Sequence, residues 1–241
     1  MQGNSRSVSS NQEGIHEQLD SLVKRYLTTH SRRPIQPHTE TAFALVCDWL
    51  QGQKDKIIID SCCGIGESSA RLASLYPNHR VIGIDKSAQR VAKHQHHFDS
   101  DRIQESALLS HKDNYCVVRA DVIDFWRLVR REQWQVDGHY LLYPNPYPKA
   151  SQLQKRWYAS ASLQDLLLLK GHLQVRSNWQ LYLQEFQYAL RIAGVEATLT
   201  AVAGEDAMTP FERKYQNSGQ TCWRLDTDLS ALNSQSWQWD D

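Results

Sequence analysis

Long apolar runs are missing from this chain of 241 residues. No stretch approaches the roughly 18 consecutive apolar residues that a membrane-spanning helix needs, so no membrane association is expected. The first residues, MQGNSRSVSSNQEG, lack the apolar core of a signal peptide, and the expected location is the cytoplasm. Cysteine is sparse: Cys47, Cys62, Cys63, Cys116 and Cys222 are odd in number and form no C-x-x-C pair. They read as reduced thiols, which excludes a disulfide framework and argues against structural zinc or any other metal centre. An excess of charge is also absent, with 27 Lys and Arg against 27 Asp and Glu. A zero balance does not favour a nucleic-acid partner, although a local basic patch can bind phosphate without altering the total, so composition leaves the partner open. Repeats of solenoid length are lacking as well.

What the chain does contain is core-forming material, 41% of its residues being hydrophobic. That suffices for one large α/β domain or two small ones. Residues 1–14 are rich in Ser, Asn, Gln and Gly and read as a disordered N-terminus. Residues 15–50 read as a helical segment. Ile15, Leu19, Leu22 and Tyr26 recur at helical spacing, Ser31–Pro37 interrupts, and a second helix runs from a Thr39 cap to Leu50.

From about residue 51 to 230, short apolar strands alternate with helices. Strands are expected at Lys56–Asp60, Arg80–Asp85, Tyr115–Asp121 and His139–Tyr143, with helices at Glu67–Tyr76 and from Ser87 to about Phe98. Segments Leu163–Leu169, His172–Arg176, Gln180–Ile192, Ala197–Ala203 and Cys222–Asp226 continue the alternation. Such repetition predicts an α/β fold, a mostly parallel twisted sheet with helices on both faces. Residues 231–241 form a tail without pattern.

In a doubly wound sheet, ligands bind beyond the carboxyl ends of the strands. Asp60, Asp85 and Asp121 end three successive strands, and the turn after the first is Asp60-Ser-Cys-Cys-Gly64-Ile-Gly66-Glu67. Glycines let backbone approach a ligand, and the following helix offers free N–H groups. Asp85 lies about 20 residues on, where an acid can accept the hydroxyls of a ribose. A dinucleotide site calls for a third glycine, so that pyrophosphate can sit on the helix N-terminus. Here Ser69 takes that place and Glu67 would repel phosphate. A cationic sulfonium ligand tolerates both.

In these features the chain resembles the class I methyltransferases, with Cys62 where the usual pattern has its first glycine. After the fourth strand comes Tyr143-Pro-Asn145-Pro-Tyr-Pro148-Lys149, a stiff loop with pre-aimed side chains. It is similar to the Pro-Asp-Pro-aromatic-Pro-Lys loop of the tRNA guanine-N7 methyltransferases. Asn178 at the end of the fifth strand, and Thr209-Pro-Phe211-Glu212 with Gly219 beyond it, resemble two further segments of that family. The resemblance spans roughly residues 35 to 226.

It implies a Rossmann-like fold, S-adenosylmethionine as cofactor and tRNA as partner, with no obligate protein partner inferable. Carried over by position, Asp60, Gly64, Gly66, Asp85 and Asp121 bind the cofactor. Asn145 faces the cofactor and is the catalytic position, and Lys149, Asn178, Thr209, Phe211 and Glu212 meet the substrate. Lys149, Lys155, Arg156, Arg213 and Lys214 are the basic residues expected to meet tRNA phosphate. Trp157, Tyr158, Trp179 and Tyr182 read as core packing. The family has Asp where this chain has Asn145, which leaves two alternatives open. One is methylation of another nitrogen, as Asn-Pro-Tyr motifs do; the other is a binding homologue with reduced or no catalysis.

Overall fold

The computed structural model describes residues 5–29, 33–97, 109–111, 114–203 and 207–233. The tail expected at 231–241 lies outside them from residue 234 on. Two compact units are formed, one from Arg33–Leu142 and the other from Met1–Arg32 with Tyr143–Asp241.

The Arg33–Leu142 unit holds α2 (Pro37–Leu50), β1 (Ile57–Ser61), α3 (Glu67–Leu75), β2 (Arg80–Asp85), α4 (Ala88–His97), β3 (Leu109–His111), β4 (Tyr115–Arg119), α5 (Val122–Arg131) and β5 (Val136–Leu142). Its strands lie in the order β3-β4-β2-β1-β5. All neighbours are parallel except β3, which runs antiparallel to β4. Every residue of β1 is buried. That is why Ile57-Ile58-Ile59 is continuous rather than alternating, as parallel strands covered on both faces are. Beside the sheet, Phe43 of α2 stacks on Trp134 at 4.8 Å and meets Phe125 of α5 edge-on at 5.0 Å. Burying each such ring stabilises the unit by roughly 1.5–3 kcal/mol.

The other unit holds α1 (Leu19–Leu27), two short 3-10 turns (Ala150–Lys155 and Trp157–Ala159), α6 (Leu163–Leu167), β6 (His172–Ser177), α7 (Gln180–Ile192), β7 (Thr198–Ala201), α8 (Pro210–Asn217) and β8 (Trp223–Asp228). Its strand order is β6-β8-β7, with β8 antiparallel to both neighbours. The last strand thus inserts between two parallel ones, a reversal that strand-helix alternation does not reveal. Tyr158 packs against Tyr182 at 5.0 Å and Phe186 at 5.3 Å, and all three are fully buried. Tyr158 and Tyr182 are core residues, as expected, while Trp157 and Trp179 are only half-buried.

Several boundaries differ from the expected ones: α1 starts at Leu19, leaving Ile15 outside it and exposed, and α2 and β4 differ as follows. Helix α2 begins at Pro37 after Gln36, because proline at the first helical position loses no needed hydrogen bond. Thr39 therefore sits inside the first turn, and its hydroxyl accepts the Asp121 N–H at 3.0 Å. The β4 strand stops at Arg119, and Asp121 caps α5 instead of ending the strand. Periodicity also passed over β3, α5 and α8. The two helices carried capping signals, Asp121 for α5 and Thr209 followed by Pro210 for α8. No described helix is long and apolar enough to cross a membrane.

Candidate functional site

The turn after β1 is built by Asp60, two serines and two glycines. Asp60 Oδ2 accepts from Ser68 Oγ at 2.6 Å and Ser69 Oγ at 2.7 Å, both in the first turn of α3. Its Oδ1 is buried with no hydrogen-bond partner. Burial pushes the carboxyl up from 3.8 to about 6, against the lowering pull of Ser68 and Ser69. The turn then runs through three left-handed residues, Cys62 at φ 62°, Gly64 at 64° and Gly66 at 78°. A side chain at Gly66 would meet His94 Nδ1 and Val117 Cγ2 at 2.6 Å, so only glycine fits there. At Gly64 nothing lies within 4 Å of a Cβ position, which leaves its backbone open on that side. Cys62 adopts a conformation that L-residues reach at a cost of roughly 1–2 kcal/mol, at the place of the usual pattern's first glycine.

Asp85, at the end of β2, closes the turn from the other side. Its Oδ2 accepts the Gly64 N–H at 3.0 Å and lies 3.3 Å from Arg90, and its Oδ1 accepts the Ser87 N–H at 2.7 Å. Parallel register pairs Asp60 with Gly83, two residues before Asp85, so both acids sit on one face of the sheet. Asp60, Gly64, Gly66 and Asp85 thus form one cluster. Asp121 stands apart in its bonding. Its Oδ1 accepts the Ile123 and Asp124 N–H groups at 3.1 Å and pairs with Arg33 at 2.8 Å. Below the turn, Ser61 Oγ accepts from Trp126 Nε1 at 3.0 Å and lies 2.8 Å from His139 Nε2. Burial holds that imidazole neutral by pushing it down to about 3. Ser68, Arg90 and Arg33 have no signal in the sequence, and Ser69 stood out only as the residue in place of a glycine, since each acts through a contact that only folding makes.

The second cluster belongs to the other unit. Asn145 is exposed, and its Oδ1 accepts the Tyr147 N–H at 3.4 Å. Tyr147 is left-handed at φ 45° and carries the Lys155 ammonium over its ring at 5.8 Å. Lys149 and Lys155 are exposed. Arg156 is not. It is 0% exposed and bonded to Glu185, so the expectation that it meets tRNA phosphate is overturned. A guanidinium buried against a carboxylate cannot reach a backbone in solvent without leaving Glu185 unpaired.

Thr209 caps α8 by accepting the Glu212 N–H at 3.0 Å. Glu212 is 0% exposed; it pairs with Arg176 at 2.8 Å and accepts the Met208 N–H at 3.2 Å. Between them Phe211 stands out, 51% exposed and stacked on Tyr215, with Arg213 and Lys214 exposed on the same helix. Asn178 donates to Gln220 Oε1 at 2.9 Å. Among the described residues no group of His, Cys, Asp or Glu is arranged to hold a metal ion.

Comparison with known proteins adds the following. A family model described as "Putative methyltransferase" matches residues 54–225. Among curated proteins no relative is found by sequence. Solved structures are similar in fold. An antibiotic-related methyltransferase has a TM-score of 0.52 at 14% identity, covering 82% of this chain and 96% of that one. The 16S rRNA methyltransferase KamB has 0.51 at 14% identity, covering 83% and 98%. The W203A mutant of the 16S rRNA (adenine(1408)-N(1))-methyltransferase from Catenulisporales acidiphilia, solved with its cosubstrate SAM, has 0.50 at 15%, covering 83% and 94%. These likenesses establish the Rossmann-like α/β fold.

Proposed function

Because this chain belongs to the methyltransferase family that includes the tRNA guanine-N7 enzymes, we propose that it transfers a methyl group from S-adenosylmethionine to N7 of a guanine in tRNA. The observation that carries this reading is the Pro144–Lys149 loop, lying inside the span that the family model matches.

S-adenosylmethionine supplies an electrophilic methyl group on a sulfonium. The residues present fit it. The open side of Gly64 gives backbone access, and Asp85, at a strand end, has lone pairs beyond those already used, for ribose hydroxyls. Asp60 is a buried acid whose second oxygen is unpaired, so its ionised form gains from a cation held nearby. Gly66 keeps the turn tight, and Asp121 fixes the start of α5 beside it in sequence.

Guanine N7 carries a lone pair and no proton, so no general base is required. The work left to the protein is alignment and accommodation of shifting positive charge. Asn145 is the residue we assign to that task, as a hydrogen-bonding group without charge. Lys149, Lys155, Arg213 and Lys214 are the cations for phosphate, and Phe211 and Asn178 are the groups for base or ribose. Thr209 and Glu212 serve the substrate indirectly, by holding Phe211 at the start of α8.

The test is mass spectrometry of nucleosides from bulk tRNA incubated with the protein and labelled cofactor. N7-methylguanosine is the expected product, and Asn145→Asp is expected to keep or raise its yield. A label on another nitrogen would replace this reading by the one that Asn145 in place of Asp favours. Absence of any label would leave a binding protein without turnover.

A further inference from the structure

Residues 5–16 contain neither helix nor strand, yet they bond along one unit from end to end. The Ser5 N–H donates to Ser218 Oγ at 3.0 Å, and its carbonyl accepts from Gln220 Nε2 at 2.9 Å. Gln220 is the residue that holds Asn178. Further on, Ser10 Oγ donates to Pro148 O at 2.6 Å, and Asn11 Oδ1 accepts the Ala150 N–H at 2.9 Å. Gln12 Nε2 donates to Glu185 Oε1 at 2.6 Å while its Oε1 accepts from Arg156 at 3.0 Å. The His16 N–H reaches Glu185 Oε1 at 2.8 Å.

Arg156 completes the arrangement from within. Its Nε and one terminal nitrogen both donate to Tyr147 O at 3.1 Å, and the same terminal nitrogen reaches Lys149 O at 3.3 Å. Its other terminal nitrogen donates to Glu185 Oε2, as does the Tyr158 hydroxyl. The backbone of the loop is therefore held at four consecutive residues, by Arg156 at Tyr147 and Lys149 and by the N-terminal segment at Pro148 and Ala150. The held stretch includes Tyr147 at φ 45°, a conformation that persists in an L-residue only where its surroundings over-determine it.

We propose that Ser10, Asn11 and Gln12 form a strap which, with Arg156 and Glu185, sets the geometry of the Tyr147–Ala150 loop and acts as a positioning device for methyl transfer. This rests on the reading of that loop as the substrate loop. The strap touches no reacting atom. It acts through backbone carbonyls and an amide, and through them on Asn145 and Lys149, which flank the held stretch or belong to it. Placement at this level matters because a shift of about 1 Å at a reacting group costs on the order of a hundredfold in rate.

The test uses the full chain carrying Ser10→Ala, Asn11→Leu and Gln12→Leu together. A companion carries Ser10→Thr and Asn11→Asp, which keep the hydroxyl donor and the acceptor. In the first variant, hydrogen exchange at the Ala150 amide is expected to accelerate about tenfold or more, and in the companion to stay within about twofold of the native chain. Single-turnover methyl transfer to tRNA should fall about tenfold or more in the first variant and recover in the companion, with cofactor affinity by calorimetry unchanged in both. An unchanged Ala150 exchange rate overturns the strap itself. Faster exchange with an undiminished transfer rate overturns its positioning role. If the native chain makes no product while the exchange contrast appears, the substrate reading fails and with it the role in transfer, and the strap stands as the holder of the loop.

Discussion

Asp60 offers the sharpest single perturbation, because its two oxygens have different surroundings. Oδ2 takes both serine hydroxyls and Oδ1 takes nothing. The lift from 3.8 to about 6 means that ionising Asp60 in the folded protein opposes folding by about 3 kcal/mol at neutral pH. The sign follows from proton uptake. With a folded value above the unfolded one, the native state binds the proton more tightly. The penalty is therefore absent below pH 3.8, grows as pH rises, and is complete above about 6. The Asp60→Asn variant carries no such dependence, because an amide does not titrate. The new amide nitrogen, placed where Oδ1 is, would lack an acceptor and cost roughly 1–3 kcal/mol at every pH, a constant offset.

His139 titrates in the opposite sense. Its folded value of about 3 lies below the ordinary 6.5, so its contribution is present above pH 6.5 and lost as pH falls towards 3. It is common to both proteins and cancels in their difference. Urea denaturation of native chain and variant at pH 4 and pH 7.5 measures that difference. It should move in the variant's favour by about 2.5 kcal/mol over that range, because a small part of the penalty is already present at pH 4. In the same frame, cofactor affinity of the native chain should fall by up to about tenfold per pH unit below 6, and the variant's should not. Parallel stability curves would refute the account of Asp60 as a carboxyl strained by burial.

Other outcomes follow from individual contacts. Gly66→Ala drives a methyl group into His94 and Val117 and strains a left-handed backbone, so denaturation should show a loss of roughly 2–4 kcal/mol. Asp85→Ala removes the acceptor for the Gly64 and Ser87 amides and, on the proposed reading, the partner of the ribose hydroxyls. Calorimetry should show cofactor binding weaker by roughly 1.5–3 kcal/mol, and unchanged affinity would exclude this placement. Glu212→Gln removes the buried carboxylate charge that pairs with Arg176, and thermal or urea unfolding should report a loss of about 3–5 kcal/mol. Binding of tRNA through Lys149, Lys155, Arg213 and Lys214 should weaken steeply with salt in a filter or fluorescence titration; a flat salt response would remove phosphate contacts from the reading.

What the sequence determined on its own was whatever local chemistry repeats along the chain. Apolar runs ending in acids marked β1 and β2, and the strand–helix alternation placed a segment at Gln180–Ile192, the bounds α7 has. Two glycines marked the tight strand-to-helix turn after β1, because left-handed backbone is a property of a single residue and Gly66 declares it. The stiffness of the Pro144–Lys149 loop was legible for the same reason, proline restriction being local. Tertiary structure alone decided which charges are available. Arg156 and Lys155 are neighbours in a basic stretch, yet one is buried under Glu185 from α7 and the other lies in solvent. Thr209, Phe211 and Glu212 read as one substrate motif, and folding divides them into a cap, an exposed ring and a buried anion. The N-terminal segment has the composition of a disordered tail, because hydrogen bonds to Pro148, Ala150 and Glu185 leave no mark on hydrophobicity or charge. Those bonds join residues more than a hundred positions apart, and no spacing rule reads across that distance.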